Sequence, residues 1–504
     1  MVRSLPSRRL GLLLAVVALA ASSACGSTVP SNSLAGTAEA AGLDGTVQPG
    51  ATQVAATVPG ETSAPGSTGS AGGGVSSVPT ASNGVGVGTT PAGPASASTV
   101  SRVIPNGAIR VGFLNTDIPT KQAQQLGVDT GQSYDPKDWF FALVKNLNKH
   151  GGIGGHQIDP VVSNVRPLAN SWQTEYERAC AELAQDKKVA VVVGYTFITE
   201  DSFLNCLTKA RIPQVAIAAF EPDDTQLAGA PFYFGLGPSK NRDLALLLNG
   251  PFNDGFLTPK NKIGIVTGSC AFEVRAMAKT WDPLVKKLGL TEAARQTITC
   301  PDGAAQGSTT VQQIQAAVLK FRSAGVDRVY AASGALLFFT QTAENQGYHP
   351  GYILDSNTSG GQVEAQNIPK AQLRNMRGYG WAPFMDVGPP RQLPLTAAAK
   401  SCFELYKESG LKATKFADFS NAIGICDTLL LYKRAVELGT SIDAARVASS
   451  IEGLGTSFGS AWTYDMKISF GSGRHTGATF YRPWAFVDAC SCFNYTRGAS
   501  NTAF

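Results

Sequence analysis

The stretch Ala142–Val162, ALVKNLNKHGGIGGHQIDPVV, places four glycines and two of the chain's four histidines within Lys149–Ile158. A phosphate cradle, a metal site and a turn all compete for it. A phosphate-binding loop runs from a strand through glycines into a helix, so that the helix amino end faces the anion. Here the order is reversed. Phe140, Leu143, Val144 and Leu147 mark one face of a helix before the glycines, and HQIDPVV reads as a strand after them. The glycines then permit a left-handed helix ending and a tight reversal, with His150 and His156 flanking the turn at the surface. A helix-to-strand turn lies at the amino ends of the strands. A binding site is therefore expected at the opposite edge of the sheet.

Outward from this turn the same alternation repeats. Upstream, IRVGFLN (109–115) reads as a strand, and Asp135 and Pro136 as the cap and first residue of the helix. Downstream come the helix SWQTEYERACAELAQDKK, the strand VAVVVGY, the helix EDSFLNCLTKA and the strand PQVAIAA. Near-continuous apolar strands alternating with helices predict a parallel sheet covered on both faces. The pattern restarts at KIGIVTGS (262–269), followed by a long helix to about Leu288, ARQTITC, the helix VQQIQAAVLKFRSAG, DRVYAAS, the helix ALLFFTQTAENQG and YILDSN. Helices at about 395–409 and 419–437 and the strand-rich stretches AWTYDMKISF and TFYRPWAFVDACSCF complete the chain. The fold class is α/β with two Rossmann-like lobes. Lobe 1 is expected over 105–237 plus about 380–465, and lobe 2 over 238–379 plus about 466–504.

The first hundred residues are of another kind. No aromatic residue occurs from Met1 to Gly112, and no Lys or Arg from Leu10 to Ser101. Such a segment cannot bury enough apolar surface to offset its ordering entropy, about 1–2 kcal/mol per residue. Arg3, Arg8 and Arg9, the apolar run LGLLLAVVALAA and the small residues Ser22, Ser23 and Ala24 read as a signal peptide over 1–24. Small residues directly before Cys25 resemble a bacterial lipoprotein signal, which implies lipidation of that cysteine; plain secretion is the alternative. Residues 25–104 form a linker whose only charges before Arg102 are Glu39, Asp44 and Glu61. As a flexible coil its end-to-end distance is about 50 Å. The formal charge of +5 falls to 5 − 3 = +2 once the three signal arginines are removed, which excludes a nucleic-acid partner.

Eight cysteines follow Cys25, an even number in an exported chain. Consecutive pairing gives Cys180–Cys206, Cys270–Cys300, Cys402–Cys426 and Cys490–Cys492. The first and third pairs join successive helices, and the second closes the carboxyl ends of neighbouring strands. No metal site is expected, because only Cys490 and Cys492 are closely spaced and no histidine is near them.

In parallel sheets ligands bind outside the strand carboxyl ends. The candidate contacts are therefore Asn115 and Thr116, Tyr195 and Thr196, and Phe220 and Glu221 in the first block, with Phe272 and Glu273, Ser333 and Gly334, and Asp355 and Ser356 in the second. Aromatic, hydroxyl and acid groups together suit a small polar solute.

The opening stretch resembles its counterpart in type I periplasmic solute-binding proteins of the leucine/isoleucine/valine group. The resemblance continues through TAENQGYHPGYILDSN, FSNAIGICDTLLLYKRAVELG and RHTGATFYRPW, and covers about 105–504. It implies a two-lobed clamp joined by three crossovers, with ligand held in the cleft and closure on binding. The chain departs from that family at Cys270-Ala271-Phe272, where a Tyr-Gly pair is usual, and at Tyr195-Thr196, which replaces a smaller hydroxyl loop. The clamp is carried over; a branched-chain amino acid ligand is not. The resemblance implies a monomer at the outer face of the membrane, without cofactor, that hands an amino acid, amide or related solute to an ABC permease. A ligand sensor built on the same clamp is the alternative.

A cleft hydrolase is a third reading. Gly455-Thr456-Ser457-Phe458-Gly459 matches a hydrolase elbow, with Asp465 and His475 following in chain order. That elbow needs a strand before and a helix after the serine, and the order here is the opposite. His349 and His475 read as loop residues. Tyr379, Trp381 and Phe384 read either as hinge packing or as an aromatic wall on the cleft.

Overall fold

One asparagine and one glycine build the turn that decides the topology. Asn148 donates from Nδ2 to the Ile158 carbonyl at 2.8 Å and accepts the Ile158 N–H at Oδ1 at 2.7 Å. Two hydrogen bonds thus tie a helix end to the strand that follows. Gly152 has φ +72°, and a Cβ there would stand 1.9 Å from the His156 carbonyl oxygen. Only glycine fits that reversal. His150 and His156 each place Nδ1 on a main-chain carbonyl, of Asn146 and Gly107, and hold no ligand geometry.

The computed structural model describes residues 107–116, 131–166, 171–196, 201–218, 222–300, 307–331, 333–366, 368–388 and 393–496, with Arg391, Gly498 and 500–504. The signal, Cys25 and linker readings lie outside these residues. The chain begins with β1 (Ile109–Thr116), α1 (Pro136–Lys149), β2 (Ile158–Val165), α2 (Trp172–Cys180), β3 (Val191–Thr196), α3 (Asp201–Lys209), β4 (Gln214–Ala218), α4 (Asp224–Gly229) and β5 (Tyr233–Gly235). Asp135 caps α1 in a capping box with Asp138, and Pro136 opens the helix. The five strands form a parallel sheet in the order β2-β1-β3-β4-β5.

A second sheet follows after α5 (Lys240–Asn253), an element for which the sequence reading had no assignment. Its parallel part comprises β6 (Lys262–Gly268), α6 (Ala271–Ala276), α7 (Asp282–Lys287), β7 (Thr291–Ile298), α8 (Gly307–Ala324), β8 (Arg328–Ala331), α9 (Ser333–Asn345), β9 (Gly351–Leu354), α10 (Gly360–Ala365), α11 (Lys370–Leu373) and β10 (Met376–Gly380). A π turn at Met277–Trp281 joins α6 to α7. The chain then leaves through α12 (Pro383–Asp386) to α13 (Ala397–Tyr406), α14 (Phe416–Gly439) and α15 (Ala444–Leu454). Of these, α13 and α14 pack on α1, and α14 also covers β3 and β4 of the first sheet. The chain returns to the second sheet as β11 (Phe480–Val487), β12 (Cys492–Tyr495) and β13 (Thr502–Ala503). There the order is β12-β11-β10-β9-β8-β6-β7, antiparallel from β10 to β12, with β13 on β11. The chain therefore crosses between the sheets after β5, after β10 and after α15.

The expected strand in AWTYDMKISF does not form. Asp427 of α14 accepts from the Ala461 N–H at 2.9 Å, the Trp462 N–H at 3.1 Å and the Ser460 hydroxyl at 2.5 Å, folding the segment onto the helix. Asp465 and Met466 then take φ of 54° and 56°. Left-handed residues break an extended run, leaving only isolated bridges.

Disulfides join Cys180–Cys206, Cys270–Cys300, Cys402–Cys426 and Cys490–Cys492, with Cα separations of 6.4, 4.8, 5.8 and 5.2 Å. Among the described residues no helix is long and apolar enough to cross a membrane. Nor does any group of three or more His, Cys, Asp or Glu residues among them suit a metal ion.

Candidate functional site

On the first sheet, β1, β3 and β4 end side by side. Gly194 makes the close approach possible: with φ +123°, a Cβ there would stand 2.7 Å from the Leu114 carbonyl oxygen. Asn115 is buried and donates from Nδ2 to Asn164 Oδ1 at 2.9 Å, while its own Oδ1 has no partner among the described residues. The Thr116 hydroxyl is likewise buried without a partner among the described residues. Tyr195 ends the apolar run of β3 and hydrogen-bonds Ser420 of α14; burial pushes its phenol above the ordinary range. Thr196 is the last residue of β3. Phe220 and Glu221 lie outside the described residues.

On the second sheet the polar groups turn inward. Glu273 is buried in α6 beside Phe272 and reaches back to accept the Gly268 N–H at the end of β6, at 2.5 Å. Lys240 of α5 is buried too, with Nζ 3.0 Å from Asp243 Oδ2 and 3.4 Å from the Tyr330 hydroxyl. Burial acts against the charge on Lys240, but Tyr330, Asp243, Glu273 and Asp355 together outweigh it and hold the ammonium protonated. Burial also lifts Asp243 to about 7; Lys240 opposes the shift and the neighbouring Asp355 adds to it. A lysine and three carboxyl groups thus share one low-dielectric region below the carboxyl ends of β6, β8 and β9. Such a set keeps a fixed field at the site only while every member stays in place.

Asp355 and Ser356 follow β9. Asp355 Oδ1 accepts the N–H and hydroxyl of Thr358, both at 2.6 Å, which fixes the turn. Ser356 donates to Asp386 Oδ1 at 2.7 Å and accepts the N–H groups of Trp381 and Ala382 at 2.7 and 3.0 Å. Its hydroxyl is spent on the crossing segment after β10. Asp386 in turn accepts from the Tyr464 hydroxyl at 2.7 Å, and burial raises its carboxyl to about 8. Ser333 and Gly334 open α9.

The structure therefore brings Glu273 and Asp355 into one electrostatic cluster, and engages Ser356 in the hinge. Sequence reasoning missed Lys240, Asp243, Tyr330, Asp386 and Tyr464. Lys240 and Asp243 are spaced i,i+3, which in a sequence reads as a solvated helix pair. Nothing local tells that both are buried.

The hydrolase-like residues are not assembled. Ser457 donates to the Leu454 carbonyl at 2.7 Å, and His475 Nε2 lies 2.9 Å from Glu452 Oε1. His349 pairs with Glu344 at 3.0 Å. Tyr379, Trp381 and Phe384 are all buried, and the Tyr379 hydroxyl donates to Asp254 at 2.7 Å. Hinge packing is the role their burial supports.

A family model described as periplasmic binding protein matches residues 140–488. No curated protein matches the chain. Among solved structures, a substrate-binding protein of an ABC transporter from Aeropyrum pernix is similar, with a TM-score of 0.60 and 13% identity over 79% of this chain and 96% of that one. The branched-chain amino acid transporter substrate-binding protein LivJ from Streptococcus pneumoniae, in complex with isoleucine, gives 0.56 and 16% over 79% and 100%. A solute-binding protein from R. palustris, in complex with 4-hydroxybenzoate, gives 0.56 and 13% over 79% and 98%.

Proposed function

The chain belongs to the periplasmic binding protein family, and from that premise we propose that it captures a small polar solute between the carboxyl edges of its two sheets for delivery to an ABC importer. The observation that carries this reading is the hydrogen-bonding capacity of Asn115 and Thr116 left unmet among the described residues at the first edge, opposite in role to the charged cluster around Glu273 at the second. One edge has groups free to take a ligand, and the other supplies an oriented field. The two sheets with their helices act as lobes, and the three crossings as the hinge. We place the chain outside the cytoplasmic membrane as a monomer anchored through lipid on Cys25, with the permease as its membrane partner.

The solute class is amino acids, amides and related molecules; similar folds hold isoleucine and 4-hydroxybenzoate. The test is a thermal-shift screen of residues 105–504 against amino acids, amides, sugars and aromatic acids. A ligand at 100 times its dissociation constant stabilises by about 2.7 kcal/mol. Glu273→Gln and Asn115→Ala are expected to abolish the shift of any hit. A panel with no shift, or a hit that both variants retain, defeats the proposal. Replacement of Cys25 by Ser is expected to move the protein from the membrane fraction to the soluble one.

A further inference from the structure

Away from the strand-end residues, a cavity of about 270 Å³ lies where the chain crosses between the sheets, at the carboxyl end of β10 and the amino end of β11. None of the residues assigned above to the solute lines it. Phe384, Leu393, Pro394 and Leu395 make its wall apolar. Two polar groups on that wall are already used: Thr396 accepts the Ala399 N–H, and the Tyr464 hydroxyl is held by Asp386.

Two are not. Thr463 is 1% exposed, and its hydroxyl has no hydrogen-bond partner among the described residues. Arg482 makes no ion pair among the described residues. Its Nη1 donates to Asn501 at 3.3 Å, its guanidinium lies 5.0 Å from the centre of the Tyr495 ring, and its buried Nε has no acceptor among the described residues. Buried donors are ordinarily satisfied. A guanidinium Nε and a hydroxyl with donor capacity to spare, on residues lining one chamber with apolar walls, have the donor set of a carboxylate site. Asp465 also lines the cavity, exposed and without an ion pair among the described residues, so a second negative charge on the guest is disfavoured.

The geometry points to a second binding site here, for a monocarboxylate with a compact apolar body, its carboxylate on Arg482 and Thr463 and its body against Phe384 and Leu395. Its lining shares no residue with the strand-end set, and the inference goes beyond the transport reading.

The test uses the full chain with 4-methylpentanoate and benzoate as probes, their carboxamides as controls, and calorimetry with ligand-detected NMR as readouts. At least one carboxylate is expected to bind saturably at or below about 1 mM, with its amide at least about tenfold weaker. Arg482→Gln and Thr463→Val should each weaken binding by about tenfold or more, and Glu273→Gln should leave it unchanged. Leu395, on the exposed rim, gives a variant independent of the buried network: Leu395→Trp fills the chamber and should abolish binding even if Arg482→Gln fails to fold. Absence of saturable carboxylate binding overturns the proposal. So does equal binding of the amide. Binding lost in Glu273→Gln but kept in Leu395→Trp assigns the probe to the strand-end site and also overturns it. Loss of solute binding at the strand-end site alone leaves these outcomes readable, so the two proposals fail separately.

Discussion

Asp386 makes the stability of this protein depend on pH in the direction opposite to that of most carboxylates. Its carboxyl is fully buried, and burial raises it from 3.8 to about 8, even though the Tyr464 and Ser356 hydroxyls favour the charged form. In the unfolded chain the group is ionised at every pH above about 5. The folded protein holds the proton more tightly. The stability contributed by that proton is complete at low pH and is lost as pH rises through 8. Integrating the difference in bound protons gives a loss of about 3 kcal/mol between about pH 6 and about pH 9 from this residue alone. Asp386→Asn supplies an isostere of the protonated form. The amide oxygen keeps the Ser356 bond, and the amide N–H turns to the Tyr464 oxygen, whose proton can then swing to the Tyr495 hydroxyl 3.4 Å away. The assay is urea denaturation of wild type and Asp386→Asn at the two pH values. Subtracting the variant's pH dependence from that of wild type removes Asp243, Asp427 and every other titrating group. A residual near 3 kcal/mol supports the reasoning. Parallel pH profiles for the two proteins would refute it.

Gly152→Ala and Gly155→Ala separate crowding from conformation, since both glycines have positive φ but only Gly152 has a neighbour within 4 Å of the added Cβ. Denaturation should show a loss of about 1 kcal/mol for Gly155→Ala and at least about twice that for Gly152→Ala; equal losses count against the account of the turn. Asp427→Ala strands the Ala461 N–H in the interior and leaves the Trp462 N–H only the Ser460 hydroxyl, and a loss of about 3 kcal/mol is expected by the same measurement. Replacing Cys402 and Cys426 by alanine opens a loop with a sequence separation of 24, against 2 for Cys490 and Cys492. The chain-entropy model puts these losses at about 3 and about 1 kcal/mol, and the reverse order in thermal unfolding contradicts it.

The layering of the folded part was legible because it rests on periodicity. Strand runs such as VAVVVGY are apolar throughout, since a central parallel strand is covered on both faces. The capping box at Asp135 and the glycines at 151–155 are local signals with local causes. Where a distant residue intervened, the reading failed. AWTYDMKISF has the alternation of a strand, yet Asp427, some 35 positions earlier, accepts the N–H groups of its first two residues and the hydroxyl of Ser460 just before it, and bends it away.

The candidate site divides in the same way. Which strand ends meet at one edge follows from chain order, so Asn115, Tyr195, Glu273 and Asp355 could be named from the sequence. Which of their polar atoms remain free depends on partners far along the chain. Asn164 occupies one side of Asn115, and Asp386 takes the Ser356 hydroxyl. The burial of Lys240 with Asp243 depends on α5 lying against the π turn after α6. The sequence by itself determined the two α/β blocks, the turn between α1 and β2 and the edge at which to look, because backbone propensity and hydrophobic period act over a few residues. Only the tertiary structure decided which charges are buried and which hydrogen-bonding groups are left unfilled, because desolvation and partnering are set by whatever the fold places next to each group.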